Sequence, residues 1–148
     1  MLENLQLLAN ISTTIAVVIA VFQLYKQNKQ RRIDYLLRLH EFLISNREME
    51  ELFYQIDHET FKFNKKIPGS KKEIILDRLL GFFETICRLE KEGLFTKSDF
   101  SFFEYELLRI VKNTEIRKYF DYLEKETSGD KITVPLFNEL KNLQKKYI

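Results

Sequence analysis

The chain opens with an uncharged, largely apolar stretch that separates Glu3 from Lys26. Twenty-one helical residues, 5–25, rise roughly 31 Å at 1.5 Å each, close to the ~30 Å hydrocarbon thickness of a bilayer. Cations follow the stretch at once, at Lys26, Lys29, Arg31 and Arg32. This order predicts one transmembrane helix over residues 1–26, with the N-terminus outside and the basic residues on the cytoplasmic side.

Two other interpretations of this stretch stay open. A cleaved signal peptide carries cations before its apolar core and small residues at the cleavage site. Here Glu3 precedes the core and Phe22-Gln23-Leu24-Tyr25 stands where cleavage would fall. An amphipathic helix buried in a soluble core is the second alternative. The retained anchor agrees best with the order of charges.

Polar and small residues cluster on one side of the predicted helix. At about 100° per residue, Gln6, Asn10, Thr13 and Thr14 lie near one another and opposite large apolar residues. Small residues four positions apart let helices approach closely, and amide side chains bond across the interface. The residues expected to pack between helices are Ser12, Ala16, Ala20, Gln23 and Gln27. We expect self-association through this side, where the four polar residues line a pore or bond between helices.

Beyond the basic run, apolar residues recur at helical spacing. The first helix is expected to continue to about Ile44, because residues 27–44 contain neither Gly nor Pro. Further helices are predicted over about 46–57, from Ser70 to about Glu92 with Gly93 as the stop, over about 97–112, from Asn113 or Thr114 to about Lys125, and after Pro135. Expected capping boxes are Ser45 with Glu48, Ser70 with Glu73, and Thr96 with Asp99. Residues 58–70 and Thr127–Asp130 are predicted loops.

The predicted fold is therefore all-α. A single N-terminal transmembrane helix continues into a cytosolic helical bundle of about five to six helices. The domains are the transmembrane helix, 1–26, and the cytosolic helical domain, 27–148, in which 27–44 extends the first helix.

The composition limits the partners. In 148 residues the formal net charge is +2, too small to indicate a nucleic-acid-binding protein. One cysteine, Cys87, cannot form an internal disulfide, which suits a reducing compartment. Lysines at 62, 65, 66, 71 and 72 surround Phe61 and Phe63. A solvated loop is the favoured interpretation of these lysines, and a nucleic-acid or anionic-lipid contact is the alternative.

The sequence offers little material for catalysis. His40 and His58 are far apart, and no CxxC, HExxH or phosphate-binding loop is present. We interpret His40 as a helix-packing residue, His58 as a partner of a helix C-terminus or a loop residue, and Cys87 as a small core residue. We expect no catalytic residue, no cofactor, no metal site and no enzymatic activity.

Three short segments carry a resemblance to a known group. They are Phe42-Leu43-Ile44-Ser45 with Met49, Leu80-Gly81-Phe82-Phe83-Glu84-Thr85-Ile86, and Glu92-Gly93-Leu94-Phe95-Thr96. With the preceding span and basic helix, they resemble small membrane-anchored all-helical bacterial proteins of the phage abortive-infection type. Relatives of that type are retron-type effectors or accompany RNA-targeting CRISPR enzymes. The resemblance implies the bacterial inner membrane and antiphage defence, and gives Glu84 and Gly93 architectural roles only.

Together these features predict an oligomeric inner-membrane effector that perturbs or permeabilises the membrane. Its expected partners are the lipid bilayer, further copies of itself and a cytosolic defence protein, and nucleic acid is an unlikely partner. The alternative is a membrane-tethered adaptor whose helical domain binds a cytosolic partner. An unrecognised nuclease is the least favoured function.

Overall fold

A computed structural model describes residues 2–127 and 136–147, with side chains for all of these except 2–5 and 7–11. The described residues form seven helices and no strand, which confirms the all-α prediction. The helices are α1 (Leu2–Ser45), α2 (Arg47–Asp57), α3 (Lys71–Lys91), α4 (Lys97–Ser101), α5 (Glu104–Lys112), α6 (Thr114–Thr127) and α7 (Asn138–Tyr147). The chain divides into two compact units, residues 1–42 and residues 43–148.

The first unit is the helix α1 up to Phe42. This helix is continuous for 44 residues and passes through the basic run without a break. Its continuity confirms the prediction that the apolar stretch and residues 27–44 form one helix. Because residues 2–45 contain no Gly or Pro, nothing in the sequence interrupts the backbone hydrogen bonding.

The junction between α1 and α2 lies one residue beyond the predicted position. Ser45 still belongs to α1, and Asn46 caps α2, where its Oδ1 accepts the Met49 N–H at 3.2 Å. The predicted capping box of Ser45 with Glu48 is therefore wrong. An asparagine caps a helix as well as a serine does, so the choice between adjacent candidates depends on where α1 ends.

The ends of α3 follow the local signals in the sequence. Ser70 accepts the Glu73 N–H through its Oγ at 3.4 Å, as predicted. The reciprocal bond differs, because Glu73 Oε2 accepts the N–H of Gly69 at 2.6 Å rather than that of Ser70. At the other end Gly93 adopts φ +70°, a left-handed conformation that costs glycine little. The predicted stop at Gly93 is confirmed.

The helix predicted over residues 97–112 is two helices. Thr96 and Asp99 form the predicted reciprocal capping box at its start. The backbone then breaks after Ser101, and α5 begins at Glu104. The break turns Phe103 into the core, where its ring lies edge-on to Phe82 with the centroids 6.0 Å apart. Tertiary packing therefore overrides the local helical pattern at this point.

The last two helices match their predictions in part. Asn113 caps α6, because its Oδ1 accepts the N–H groups of Glu115 and Ile116 at 2.9 and 3.2 Å. The helix runs to Thr127, two residues beyond the predicted end at Lys125. Pro135 and residues 128–130 of the predicted loop lie outside the described residues. The final helix, α7, begins at Asn138.

The core of the second unit is built around α3. This helix packs against α2, α4 and α7 and so occupies the centre of the unit. Leu76, Leu79, Leu80, Phe83 and Ile86 are fully buried. Ile74, in the first turns of the same helix, is exposed.

Candidate association surface on the first helix

The longest run of exposed large apolar side chains among the described residues lies on α1. Between positions 15 and 25 every large apolar side chain is at least 51% exposed. These residues, called the exposed apolar segment below, are Ile15, Val17, Val18, Ile19, Val21, Phe22, Leu24 and Tyr25. A soluble monomer rarely exposes an apolar surface of this extent, which is typical of an interaction site.

The large apolar residues of the segment extend beyond the side opposite Gln6 and cover well over half of the helix circumference. At about 100° per residue, Val17 and Leu24 lie in line with Gln6, whereas Ile15 and Phe22 lie on the opposite side. The polar residues near Gln6 are therefore confined to the first turns, up to Thr14. In the later turns only the arc of Ala16, Ala20 and Gln23 lacks a large apolar side chain. This refines the two-sided pattern inferred from the sequence.

The structure places the predicted association residues on this same helix. All are exposed where their side chains are described: Gln6, Ser12, Thr13, Thr14, Ala16, Ala20, Gln23 and Gln27. Asn10 belongs to α1, and its side chain lies outside the described residues. Their roles in packing between helices or in lining a pore stay predictions.

The basic residues follow the exposed apolar segment directly. Lys26, Lys29 and Arg31 are exposed, and Arg32 is half-buried. Since successive residues differ by about 100°, the four cations surround the helix rather than form one stripe. Such a belt of charge next to an apolar segment is the arrangement expected where a helix meets lipid headgroups.

No helix has a stretch of described side chains that is long and apolar enough to cross a membrane. The predicted span, 1–26, includes residues 1–5 and 7–11, which lie outside that description. The transmembrane assignment stays a prediction.

The two histidines occupy separate environments. His40 is half-buried on α1. His58 is the C-cap of α2, and its ring stacks on Tyr54 with the centroids 3.9 Å apart. His58 Nδ1 also lies 3.1 Å from the Tyr54 carbonyl oxygen. The interpretation of His58 as a partner of a helix C-terminus is confirmed.

Cys87 is buried on α3, as predicted. Burial, together with the nearby carboxylates of Glu84, Glu139 and Glu90, raises the pKa of its thiol to about 12. The thiolate is the reactive form, so this environment disfavours nucleophilic chemistry at neutral pH. Within residues 12–127 and 136–147, together with Gln6, no three His, Cys, Asp or Glu side chains are arranged to hold a metal ion.

Glu84 has a role that the sequence analysis did not identify. Its buried carboxylate lies at the N-terminus of α7 and accepts the N–H groups of Glu139 and Leu140 at 3.2 and 2.9 Å. It therefore caps a helix 55 residues away in sequence. Farther along α7, Gln144 donates through Nε2 to the Val111 carbonyl of α5 at 2.8 Å. The only sequence signal for this role was a carboxylate within the apolar face of α3.

A second polar cluster joins α2 to α5. Asp57 accepts hydrogen bonds from the Tyr105 hydroxyl at 2.9 Å and from Arg109 Nε at 2.5 Å. Burial alone raises the pKa of Asp57, but the bonds from Tyr105 and Arg109 outweigh it, and the net shift is downward. Asn113 adds a bond from Nδ2 to the Ile56 carbonyl at 3.1 Å. The polar groups of this cluster hydrogen-bond to one another, and these bonds hold α2 against α5.

The lysines near Phe61 and Phe63 divide into two groups. Lys71 pairs with Glu48, and Lys72 donates to Gln55 at 2.9 Å with its ammonium 5.2 Å from the centre of the Phe61 ring. The remaining three lysines, at positions 62, 65 and 66, are exposed. Of the five lysines predicted to cluster, two therefore contact α2 or its adjoining loop, and the other three form a smaller exposed group.

The chain has no significant match to a protein-family model, to a curated protein or to a solved structure.

Proposed function

We propose that this protein is a membrane-associated effector that self-associates through residues 6–27 of α1 and perturbs the bilayer. The observation that carries the proposal is the exposed apolar segment, residues 15–25. Full burial of one large apolar side chain is worth about 1.5–3 kcal/mol. Removing the remaining exposed area of eight such side chains from water is therefore worth on the order of 10 kcal/mol. That gain favours lipid, further copies of the helix, or both.

The polar residues distinguish self-association from simple anchoring. Gln6, Asn10, Thr13 and Thr14 bring several hydrogen-bonding groups to the first turns of α1. A single helix in lipid gains nothing from them, whereas in an assembly each bond between helices is worth roughly 0.6–2 kcal/mol. Ser12, Ala16 and Ala20 allow the close approach that such bonds require.

The order of charges supports an orientation. The cations from Lys26 to Arg32 follow the apolar segment, and the positive-inside rule places such residues in the cytoplasm. The second unit, residues 43–148, would then be cytoplasmic. There it would hold the assembly together and receive a signal from a cytosolic partner.

The antiphage context rests on the resemblance to abortive-infection proteins alone. Two residues of that resemblance have architectural positions in this chain, because Glu84 caps α7 and Gly93 ends α3. Neither supplies chemistry, which agrees with an effector that acts through the membrane. Bacterial inner-membrane location and defence are part of the same proposal.

Vesicle leakage tests the proposal directly. Dye-loaded vesicles containing the full chain should leak, and the double substitution Asn10→Leu with Thr13→Val should abolish most of the leakage. A matched pair on the other side of the helix, Ile15→Leu with Val18→Leu, should leave it within about twofold, since both side chains stay apolar and the polar side is unchanged. Equal leakage from wild type and the first variant, at equal protein content, would refute the pore.

The adaptor function is favoured by a different result. The second unit is compact by itself, so a fragment of residues 30–148 retains it entirely. If expression of that fragment were as toxic to cells as expression of the full chain, the span would be an anchor and the helical unit a binding module. Loss of activity in the fragment, with its helical content retained, supports the membrane effector.

A further inference from the structure

The loop between α2 and α3 has a fixed backbone. The Gln55 carbonyl accepts the N–H groups of Thr60 and Phe61, both at 2.9 Å. The side chains of Phe61 and Ile67 are buried. Glu115 Oε2 accepts the Phe63 N–H at 3.0 Å and holds the middle of the loop. The loop therefore presents its outward side chains from a defined surface.

Three of those outward side chains are lysines, at 62, 65 and 66, called the lysine trio below. All three are exposed. In the part of the chain that the structure describes, no carboxylate lies within ion-pair distance of their ammonium groups. The Lys62 charge acts on the Glu115 carboxylate from farther away. Nearby Lys71 and Lys118, in contrast, pair with Glu48 and Glu115. Like charges held on a fixed loop repel one another, and a bound anion relieves that repulsion.

The aromatic residues of the loop bear on the kind of anion. Phe61 is fully buried, and Phe63 packs against Tyr119 and Tyr122 with centroid distances of 5.3 and 5.6 Å. The Phe61 ring is therefore closed to a nucleic-acid base, and the half-buried Phe63 ring is already engaged by the two tyrosines, whereas single-strand binding commonly uses displayed rings. The lysines act as point charges that tolerate phosphates in many arrangements. These features favour a surface of phosphates over a sequence of bases.

We propose that the lysine trio is a second membrane contact, which binds the phosphate headgroups of anionic lipids. The inference goes beyond the proposed function and takes from it only the presence of a membrane. Each lysine close to an anionic surface contributes about 1 kcal/mol, or roughly fivefold in binding. The contact weakens with salt because a Debye length at physiological ionic strength is about 8 Å.

Lysine labelling on the full-length wild-type chain tests this contact without a substitution. The chain is reconstituted in vesicles of phosphatidylcholine and of a phosphatidylcholine–phosphatidylglycerol mixture, and acetylation rates are measured by mass spectrometry for each lysine. The lysine trio should react about three- to fivefold more slowly on the mixed vesicles. The control lysines, Lys97, Lys112 and Lys145, should change by less than about 1.5-fold, and added salt should abolish the difference.

Three results would overturn the contact. The first is an equal acetylation rate for the trio on both kinds of vesicle, and the second is an equal slowing of the trio and the control lysines. The third is protection by a single-stranded oligonucleotide but not by anionic vesicles, and this result would assign the trio to nucleic acid. The proposed function fails separately, if the chain neither sediments with phosphatidylcholine vesicles nor causes leakage. Protection of the trio on mixed vesicles would still support the lipid contact in that case.

Discussion

Replacing Glu84 with alanine should release α7 from the second unit while leaving α3 folded. The carboxylate accepts two N–H groups of the first turn of α7, at 3.2 and 2.9 Å, and is itself buried. A hydrogen bond to a charged group contributes about 1.5–3 kcal/mol, and loss of a helix cap costs about 0.5–2 kcal/mol. The Arg88 pair at 3.5 Å adds little because the Arg88 side chain is 63% exposed. We expect a loss of about 2–4 kcal/mol in the docking of α7.

Hydrogen exchange measured by mass spectrometry gives the local readout. Peptides from α7 should exchange about 30- to 700-fold faster in Glu84→Ala, the factor that corresponds to 2–4 kcal/mol, and peptides from α3 should change little. Glu84→Gln should be intermediate, since one amide oxygen replaces two carboxylate oxygens. The exposed Glu126→Ala is the matched control, with an expected effect below about 0.5 kcal/mol. Unchanged exchange in α7, or equal acceleration in α3 and α7, would refute the assigned role of Glu84.

Three further predictions concern the second unit. Phe103→Ala should lower the free energy of unfolding by about 3–5 kcal/mol, measured by urea denaturation. The same substitution at its half-exposed neighbour, Phe102→Ala, should cost clearly less. Equal losses would contradict the packing described at the break. Cys87 should be alkylated by iodoacetamide at pH 8 at least about tenfold more slowly in the folded chain than in urea, because burial raises the pKa of its thiol to about 12; mass spectrometry measures the rates, and equal rates would contradict its burial. The bond from Lys118 lowers the pKa of Glu115 in the folded state. The stabilisation is present above the unfolded-state pKa of about 4.3 and is lost as pH falls through the lower folded value. Glu115→Gln should therefore flatten the acid side of the stability curve measured by urea denaturation, and an unaltered curve would contradict the assignment.

The features predicted correctly are those that depend on neighbouring residues. Ser70 and Thr96 bond the third residue of the helices that they begin, and Gly93 supplies the left-handed conformation that ends α3. Each signal is complete within a few residues, so the sequence contains all of it. The continuity of α1 follows from the absence of Gly and Pro in the same way.

The features that were missed depend on distant contacts. Glu84 caps a helix that begins 54 positions later, and no local pattern identifies its partner. The break after Ser101 exists because Phe103 turns toward Phe82, a contact between helices that periodicity cannot reveal. The association side of α1 stays a prediction from its polar and small residues. The exposure of the large apolar side chains from Ile15 to Tyr25 is a property of the folded chain that the local pattern does not contain.

The central claim is that α1 joins copies of this protein through residues 6–27. Its most direct test is the protein mass of the complex in mild detergent, from light scattering combined with size-exclusion chromatography. We predict a mass that is a multiple of the 17.9 kDa chain. Ala16→Leu with Ala20→Leu should reduce that mass, because the larger side chains block close approach of the helices. The control pair, Ile15→Leu with Val18→Leu, should retain it. A monomer for the wild-type chain, or an assembly that persists with both alanines replaced, would contradict the account.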